Sequence, residues 1–161
     1  EAISILKHKH NKVINVVFCG RDFGSLKSVQ ELAKERNVSD LVKYLGFIPK
    51  EDVWGLYKNA LALVMPTYFG PTNIPPLEAL AVECPVIYSD FPNFRKEFKG
   101  VAQFVDLEKP ESLAEILLSG KINLSVETVD KLKAIHSENE LSKRVKIFFE
   151  RVKKCIVLEC L

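Results

Sequence analysis

The chain has 161 residues, of which 47% are hydrophobic and 27% are charged, a composition typical of one globular domain with a single core. Its 23 basic and 21 acidic side chains leave a net charge of +2, which excludes the strongly positive overall field of many nucleic-acid binders. We therefore expect one domain spanning residues 1–161 and no nucleic-acid partner.

Short apolar runs alternate with helical patterns along the chain, and the first residues, "EAISILKHKH", look like the end of a helix. The predicted strands are Lys12–Cys19, Leu41–Gly46, Leu61–Pro66, Pro85–Ser89 and Ala102–Asp106. The predicted helices between and after them are Ser25–Arg36, Lys50–Asn59, Pro76–Val82 and Pro110–Leu118. This alternation predicts an α/β fold, a Rossmann-like, doubly wound parallel sheet with helices on both faces.

The pattern changes after Gly120, where two C-terminal helices and no further strand are predicted. The second runs from about Asn139 to Leu158 and combines apolar residues three or four apart with several lysines. Two interpretations stay open for it: a membrane-surface helix, or a helix packed on the sheet or on another lobe.

Ser25 is placed to cap the helix Ser25–Arg36, and Asn37 is placed to stop it.

The cysteines and histidines show no metal-binding spacing. Cys19 and Cys84 lie in apolar runs, and the two remaining cysteines and the three histidines are scattered, so we expect reduced structural thiols and no metal site. No apolar run approaches the roughly 18 residues of a membrane span, and the first residues lack the apolar centre of a signal peptide. A cytoplasmic protein, peripheral at a membrane at most, is expected.

The stretch "YFGPTNIPPLEAL", residues 68–80, joins the strand Leu61–Pro66 to a helix at the carboxyl edge of the predicted sheet. Ligands of open α/β sheets bind at this edge, and a helix start offers free N–H groups to an anion. Pro75 and Pro76 have no N–H group to offer. Glu78, predicted in the first helical turn, either complements the helix dipole or accepts hydrogen bonds from two hydroxyls of a ribose. Spacing alone favours the first interpretation, a glutamate that only complements the helix dipole.

A longer series of motifs carries a family resemblance. "YLGFIPKEDVWGLYKNALALVMPTYFGPTNIPPLEALAVECPVIYSD", followed by "GVAQFVDLEKPESLAEIL", resembles the carboxyl-terminal lobe of GT-B glycosyltransferases, specifically the retaining group called glycosyltransferases group 1. The match runs from about Val13 to Leu118. The pieces are weak one by one, but their order and spacing are specific. The resemblance implies one half of a GT-B enzyme, the half that binds a nucleotide-sugar donor, with the amino-terminal lobe and this lobe's first strand missing from the sequence.

The resemblance also implies roles for individual residues. The glutamate of "PPLEA", here Glu78, would bond the ribose hydroxyls, and backbone amides at Thr72, Asn73 and Ile74 would hold the phosphates and the sugar. The nucleotide base would lie against the loop after the second strand, which is formed here by Gly46, Phe47 and Ile48. The donor is a substrate, no cofactor is implied, and no metal is required.

Gly70 is a departure from the family pattern. The family commonly has a glutamate at this position, which helps to hold the donor sugar, and no nearby carboxylate replaces it. The family's phosphate-binding Arg and Lys would lie upstream of this sequence, and the acceptor site would belong to the amino-terminal lobe. No catalytic residue is therefore assigned within these 161 residues.

The predicted function is the transfer of a sugar from a nucleotide-sugar to an acceptor hydroxyl with retention, in polysaccharide or glycolipid synthesis. A degenerate or regulatory nucleotide-binding module without turnover is the alternative that Gly70 keeps open. A pure interaction domain on the same fold is a third, and it would bind no nucleotide.

Overall fold

The computed structural model describes residues 1–69 and 74–122, and these fall into two compact units. The first unit comprises Glu1–Val53 and Glu108–Lys121, and the second comprises Trp54–Leu107. The helices predicted after Gly120, including the one from about Asn139 to Leu158, lie outside the described residues. The prediction of one domain over residues 1–161 stays a prediction.

The helices and strands follow the predicted alternation. In chain order they are α1 (Ala2–His10), β1 (Val16–Phe18), α2 (Leu26–Glu35), β2 (Val42–Tyr44), α3 (Lys50–Asn59), β3 (Leu63–Met65), α4 (Ile74–Ala81), β4 (Val86–Ser89), α5 (Pro92–Glu97), β5 (Ala102–Val105) and α6 (Pro110–Ser119). A single 3-10 turn, Ser39–Leu41, precedes β2. Each strand lies within its predicted run, and the two ends of α3 coincide with the predicted ones.

All the described strand pairs are parallel, which confirms the Rossmann-like α/β class. The strands are divided between two sheets in the described residues: β1 pairs with β2 in the first unit, and β3, β4 and β5 pair in that order in the second. All four residues of β4 are buried, as expected for the central strand of three. Because paired strands are parallel, the loops that follow them leave from the same edge of each sheet.

The first unit is held together by helix packing and by one small apolar cluster. Helix α1 contacts α6, and the ammonium group of Lys12 donates to the carbonyl oxygen of Leu117 at 2.9 Å. Ala33, Val38 and Leu41 form a buried cluster between α2 and β2. These contacts place α2 and the start of β2 next to each other.

The second unit has an aromatic core beside its sheet. The ring of Tyr88, which is fully buried in β4, stacks on the ring of Phe94 in α5 with the ring centroids 4.3 Å apart. Phe98 meets the same tyrosine edge to face, with the centroids 5.2 Å apart. Such aromatic pairs contribute about 0.5–1.5 kcal/mol beyond their buried area, so α5 is fixed to the middle strand.

Helix α2 is capped by a different residue from the predicted one. Ser25 occupies the cap position, but it has a helical backbone (φ −85°, ψ −19°) and its hydroxyl makes no capping bond. The carboxylate of Asp22 accepts hydrogen bonds from the N–H groups of Gly24 (2.8 Å) and Leu26 (3.1 Å) instead. The predicted stop is confirmed: Asn37 has φ 54°, in the left-handed region that ends helices.

Helix α4 begins two residues earlier than predicted, at Ile74 instead of Pro76. The first residues of a helix need no N–H group for helical hydrogen bonds, so Pro75 and Pro76 fit within the first turn. The helix can therefore begin before the proline pair. The prediction that Glu78 lies in the first turn is therefore wrong, because Glu78 is the fifth residue of the helix.

Candidate functional site

The most distinctive polar group at the predicted edge of the second unit is the side chain of Glu78. It is 6% exposed, one of two buried polar residues in the described part of the chain, and α4 contacts both β3 and β4. Carboxylates are seldom fully buried in proteins without a structural or functional reason. A carboxylate complements the helix dipole most strongly in the first turn. Glu78 is the fifth residue of α4 and therefore lies beyond that turn.

The start of α4 offers few backbone donors. Pro75 and Pro76 lack an N–H group, and helical geometry directs the N–H of Glu78 to the carbonyl oxygen of Ile74. Among the first four residues of the helix, Ile74 and Leu77 thus remain as the ones with an N–H group. Ile74 and Glu78 are four residues apart, so they lie on the same face of α4.

The loop that leaves β3 is held by a buried hydroxyl from β4. Ser89 is fully buried, and its Oγ accepts a hydrogen bond from the N–H of Thr67 at 2.8 Å. The same oxygen lies 2.7 Å from the carbonyl oxygen of Thr67 and 3.1 Å from that of Met65. The chain from Met65 to Thr67 is therefore tied to the end of the neighbouring strand.

The corresponding edge of the first unit is formed by two glycine-containing loops. The N–H of Gly20, just after β1, donates to the carbonyl oxygen of Gly46, just after β2, at 2.9 Å. The hydroxyl of Tyr44 donates to the carbonyl oxygen of Gly20 at 2.9 Å. The two loops are thus bonded to each other at the carboxyl ends of their strands.

The three candidate base-contacting residues lie in the loop after β2. Gly46 has φ +68°, a conformation that residues with a Cβ atom rarely adopt, although a Cβ there would meet no atom within 4 Å. The side chain of Phe47 is 74% exposed, and Ile48 is half-buried. This arrangement leaves one aromatic side chain of the loop, that of Phe47, open to solvent.

The structure places the predicted site residues in both units. Gly46, Phe47 and Ile48 belong to the first unit, and Ile74 and Glu78 belong to the second, where they are one helical turn apart. The other three candidates, Gly70, Thr72 and Asn73, lie outside the described residues. The ligand roles given to all eight stay predictions.

Two other polar residues, Arg21 and Asp90, follow strands β1 and β4 in the chain. The side chain of Arg21 is exposed to solvent. Asp90 makes no capping bond to α5, whose cap position is occupied by Phe91. Its carboxylate pairs with the guanidinium of Arg95 through both oxygens, and this hydrogen-bonded pair lowers the pKa of Asp90. Arg95 also lies over the ring of Phe104, 5.0 Å from its centroid.

Within residues 1–69 and 74–122, no three His, Cys, Asp or Glu side chains are grouped as metal ligands would be. The same residues contain no helix with the length and apolarity needed to cross a bilayer. Cys84 is buried and Cys19 is half-buried. Burial raises the pKa of the Cys84 thiol above its ordinary value.

The residues that fix these loops are not among the candidates that the sequence motifs indicate. Ser89 was assigned only as the last residue of a strand, and Thr67 and Tyr44 were not singled out. A polar residue ending a strand that is otherwise apolar is the available signal for Ser89. Nothing local in the sequence shows that its partner is the backbone of a residue 22 positions away.

Comparison with known proteins shows that the family profile for glycosyl transferases group 1 matches residues 1–119. The chain belongs to the glycosyl transferases group 1 family. The resemblance inferred from the sequence motifs is thereby confirmed, including the assignment to GT-B enzymes.

Two relatives support the family with moderate identity. An O-antigen chain mannosyltransferase of Salmonella typhimurium is 32% identical over 97 residues, which cover 60% of this chain and 27% of the relative. A D-inositol 3-phosphate glycosyltransferase of Corynebacterium jeikeium is 32% identical over 91 residues, covering 53% of this chain and 22% of the relative. The chain of this glycosyl transferases group 1 member thus spans about a quarter of the length of these curated relatives.

A solved structure shows the same fold. The sucrose-phosphate synthase of Thermosynechococcus elongatus aligns with a TM-score of 0.64 and 18% identity, covering 86% of this chain and 38% of that protein. At this identity the likeness concerns the fold alone. It agrees with the parallel, helix-flanked sheets of the group 1 chain and confirms the predicted fold class.

Proposed function

We propose that this chain is the donor-binding part of a retaining glycosyltransferase that transfers a sugar from a nucleotide-sugar to an acceptor hydroxyl. The observation that carries the proposal is the burial of Glu78 on α4, one turn from the helix start. A carboxylate accepts hydrogen bonds only, and its two oxygens suit two vicinal hydroxyls such as those of a ribose. Membership of the glycosyl transferases group 1 family supports this role.

The remaining candidates complete the proposed donor site. The N–H of Ile74 and the backbone of Thr72 and Asn73 would hold the phosphates and the sugar, because N–H groups at a helix start favour an anion. The loop Gly46–Ile48 would contact the base, largely through its main chain. The proposal needs no metal ion, so we expect chelation by EDTA to leave nucleotide affinity unchanged.

The proposal includes a role for this sugar transfer in polysaccharide synthesis. It is supported by the O-antigen chain mannosyltransferase among the relatives. Gly70, in place of the glutamate common in the family, is the observation that favours the second candidate, a nucleotide-binding module without turnover. Hydrolysis or transfer of a nucleotide-sugar by a polypeptide that also carries the preceding lobe distinguishes the two.

The donor-binding proposal is tested by titrating the chain with UDP, GDP, ADP and CMP and observing saturation transfer to the ribose protons. We expect one nucleotide to bind, and Glu78→Gln to weaken it by about 10-fold or more, since a bond to a charged group contributes about 1.5–3 kcal/mol. Glu83→Gln is the matched control, because Glu83 is an exposed carboxylate just past the other end of α4. Equal affinities of the wild type and Glu78→Gln would contradict the role of Glu78.

A further inference from the structure

We propose that Arg21 is a specificity-determining residue of the donor site, which selects guanine as the base of the nucleotide. The inference rests on the proposed function and deepens it, since the donor-binding proposal leaves the base open. Arg21 follows β1 in the first unit, as the loop Gly46–Ile48 follows β2 in the same unit. Glu78, proposed for the ribose, belongs to the second unit. The part of the donor proposed to lie beside Arg21 is therefore the base.

The loops after β1 and β2 are joined by hydrogen bonds. The N–H of Gly20 donates to the carbonyl oxygen of Gly46 at 2.9 Å, and the hydroxyl of Tyr44 donates to the carbonyl oxygen of Gly20 at 2.9 Å. These bonds hold the residue before Arg21 against the first residue of the candidate base loop. The backbone at Arg21 is therefore a neighbour of that loop.

The chain is also fixed on the other side of Arg21. The carboxylate of Asp22 accepts hydrogen bonds from the N–H groups of Gly24 at 2.8 Å and Leu26 at 3.1 Å, which ties it to the start of α2. Arg21 thus lies between two residues, Gly20 and Asp22, that are both held by hydrogen bonds. A backbone that is already ordered loses little entropy when a ligand binds to it.

The guanidinium of Arg21 is available to a ligand. Of the three arginines in residues 1–69 and 74–122, Arg36 pairs with Glu1 and Arg95 pairs with Asp90. The side chain of Arg21 is exposed, and it forms no ion pair within these residues. A guanidinium has five N–H donors in a planar fork and no acceptor, so it suits a partner that presents two acceptors side by side.

Phe47 and Arg21 offer two different kinds of contact to a base. The ring of Phe47 is 74% exposed, and stacking on an aromatic ring tolerates every base because each base has a π face. An arginine instead donates to O6 and N7 of guanine together, whereas adenine presents an amino donor in place of O6. Phe47 is therefore expected to provide affinity, and Arg21 the choice of guanine over adenine.

The test compares GDP with ADP, which differ only in the base, and adds IDP, which keeps O6 and N7 but lacks the 2-amino group of guanine. The readouts are the Kd of each nucleotide by titration calorimetry and the Tm of each variant. We expect the wild type to bind GDP and IDP with similar Kd values, about 10-fold more tightly than ADP. Arg21→Gln should raise the Kd of GDP to that of ADP and leave the Kd of ADP unchanged.

Three further variants separate a base contact from a general effect of charge. Arg21→Lys keeps the charge without the planar fork, so it should also lose the preference for GDP. Phe47→Ala should weaken GDP and ADP by the same factor. Lys27→Gln removes an exposed positive charge from the same unit and is the matched control, which should leave both Kd values unchanged. Because Arg21 is exposed, its variants should keep the wild-type Tm.

Tighter binding of UDP or ADP than of GDP, in a chain where Glu78→Gln weakens that binding, would overturn this inference and leave the proposed function standing. An unchanged preference for GDP in Arg21→Gln would do the same. Equal weakening of GDP and ADP by Arg21→Gln would also overturn it, since that result indicates a contact with the phosphates. A wild type that binds none of UDP, GDP, ADP and CMP would instead overturn the proposed function itself, and this inference with it.

Discussion

The N–H group of Cys84 donates to the carbonyl oxygen of Ala79 at 2.8 Å, and this bond closes the C-terminus of helix α4. Glu83, between them, donates to the carbonyl oxygen of Leu80 at 3.0 Å and has φ 61°. This pair of bonds is the Schellman arrangement, in which the residue in the left-handed conformation is usually glycine. The turn that follows α4, the helix of Glu78, therefore contains a residue, Glu83, whose side chain disfavours the left-handed backbone conformation that the turn requires.

We expect Glu83→Gly to stabilise the protein. Glycine relieves a left-handed conformation that costs other residues about 1–2 kcal/mol, and part of this gain is offset by the greater freedom of glycine in the unfolded chain. The expected net change is an increase of about 0.5–1 kcal/mol in the free energy of unfolding, measured by urea titration. Glu83→Ala is the control, since alanine keeps the Cβ atom and should bring no such gain.

The loop after β2 provides a test of backbone conformation with a matched control. A Cβ atom at Gly46 or at Gly55 would meet no atom within 4 Å, but only Gly46 has a positive φ. Gly46→Ala should lower the free energy of unfolding by about 1 kcal/mol, and Gly55→Ala, inside helix α3, should raise it by about 0.5–1 kcal/mol. Equal effects of the two changes in chemical denaturation would contradict the assigned conformations.

The cap of α2 predicts a dependence of stability on pH. Hydrogen bonds from the N–H groups of Leu26 and Gly24 lower the pKa of Asp22 below its ordinary value of 3.8. A carboxyl group whose pKa is lower in the folded state stabilises the protein fully above its unfolded pKa, and this contribution is lost as the pH falls through the folded pKa. We expect Asp22→Asn to lower the Tm at pH 7, with the difference from wild type shrinking below about pH 4.

The control for this change is Ser25→Ala. Ser25 makes no capping bond, so its replacement should leave the Tm nearly unchanged at every pH. A larger effect of Ser25→Ala than of Asp22→Asn would show that the serine is the cap after all.

The two thiols of the described residues should differ in reactivity. Cys84 is 2% exposed and burial raises its pKa, so little thiolate is present near neutral pH, whereas Cys19 is half-buried. In native protein treated with iodoacetamide at pH 8, peptide mapping by mass spectrometry should find Cys19 modified well before Cys84. Labelling in urea is the control and should modify both at similar rates. Earlier modification of Cys84 in native protein would contradict its buried position.

The sequence predicted what depends on local periodicity. Helix α3 was predicted from Lys50 to Asn59 and is observed there, because its apolar residues recur at helical spacing and Pro49 precedes it. The start of α4 was predicted wrongly because a proline pair is compatible both with a boundary and with a first turn. Ser25 and Asp22 are both good capping types, and the choice between them depends on backbone angles that composition does not reveal.

The candidate site was predictable only where a motif carries it. Glu78 was singled out from the "PPLEA" motif, and its burial agrees with a specific role. The bond between Ser89 and Thr67 depends on the parallel register of β3 and β4, which places Met65 opposite Tyr88. A register between strands more than 20 residues apart is a tertiary property, so the sequence does not predict this hydrogen bond.

The strands of the second unit pair in the order in which they occur along the chain, β3 with β4 and β4 with β5. A polypeptide leaving the ribosome presents β3 first, and each new strand then finds its neighbour already synthesised. Among the strands that the structure describes, none in this sheet pairs with a strand encoded beyond β5. The bond from the N–H of Thr67 to the hydroxyl of Ser89 needs only β3 and β4, so it can form before β5 has joined the sheet.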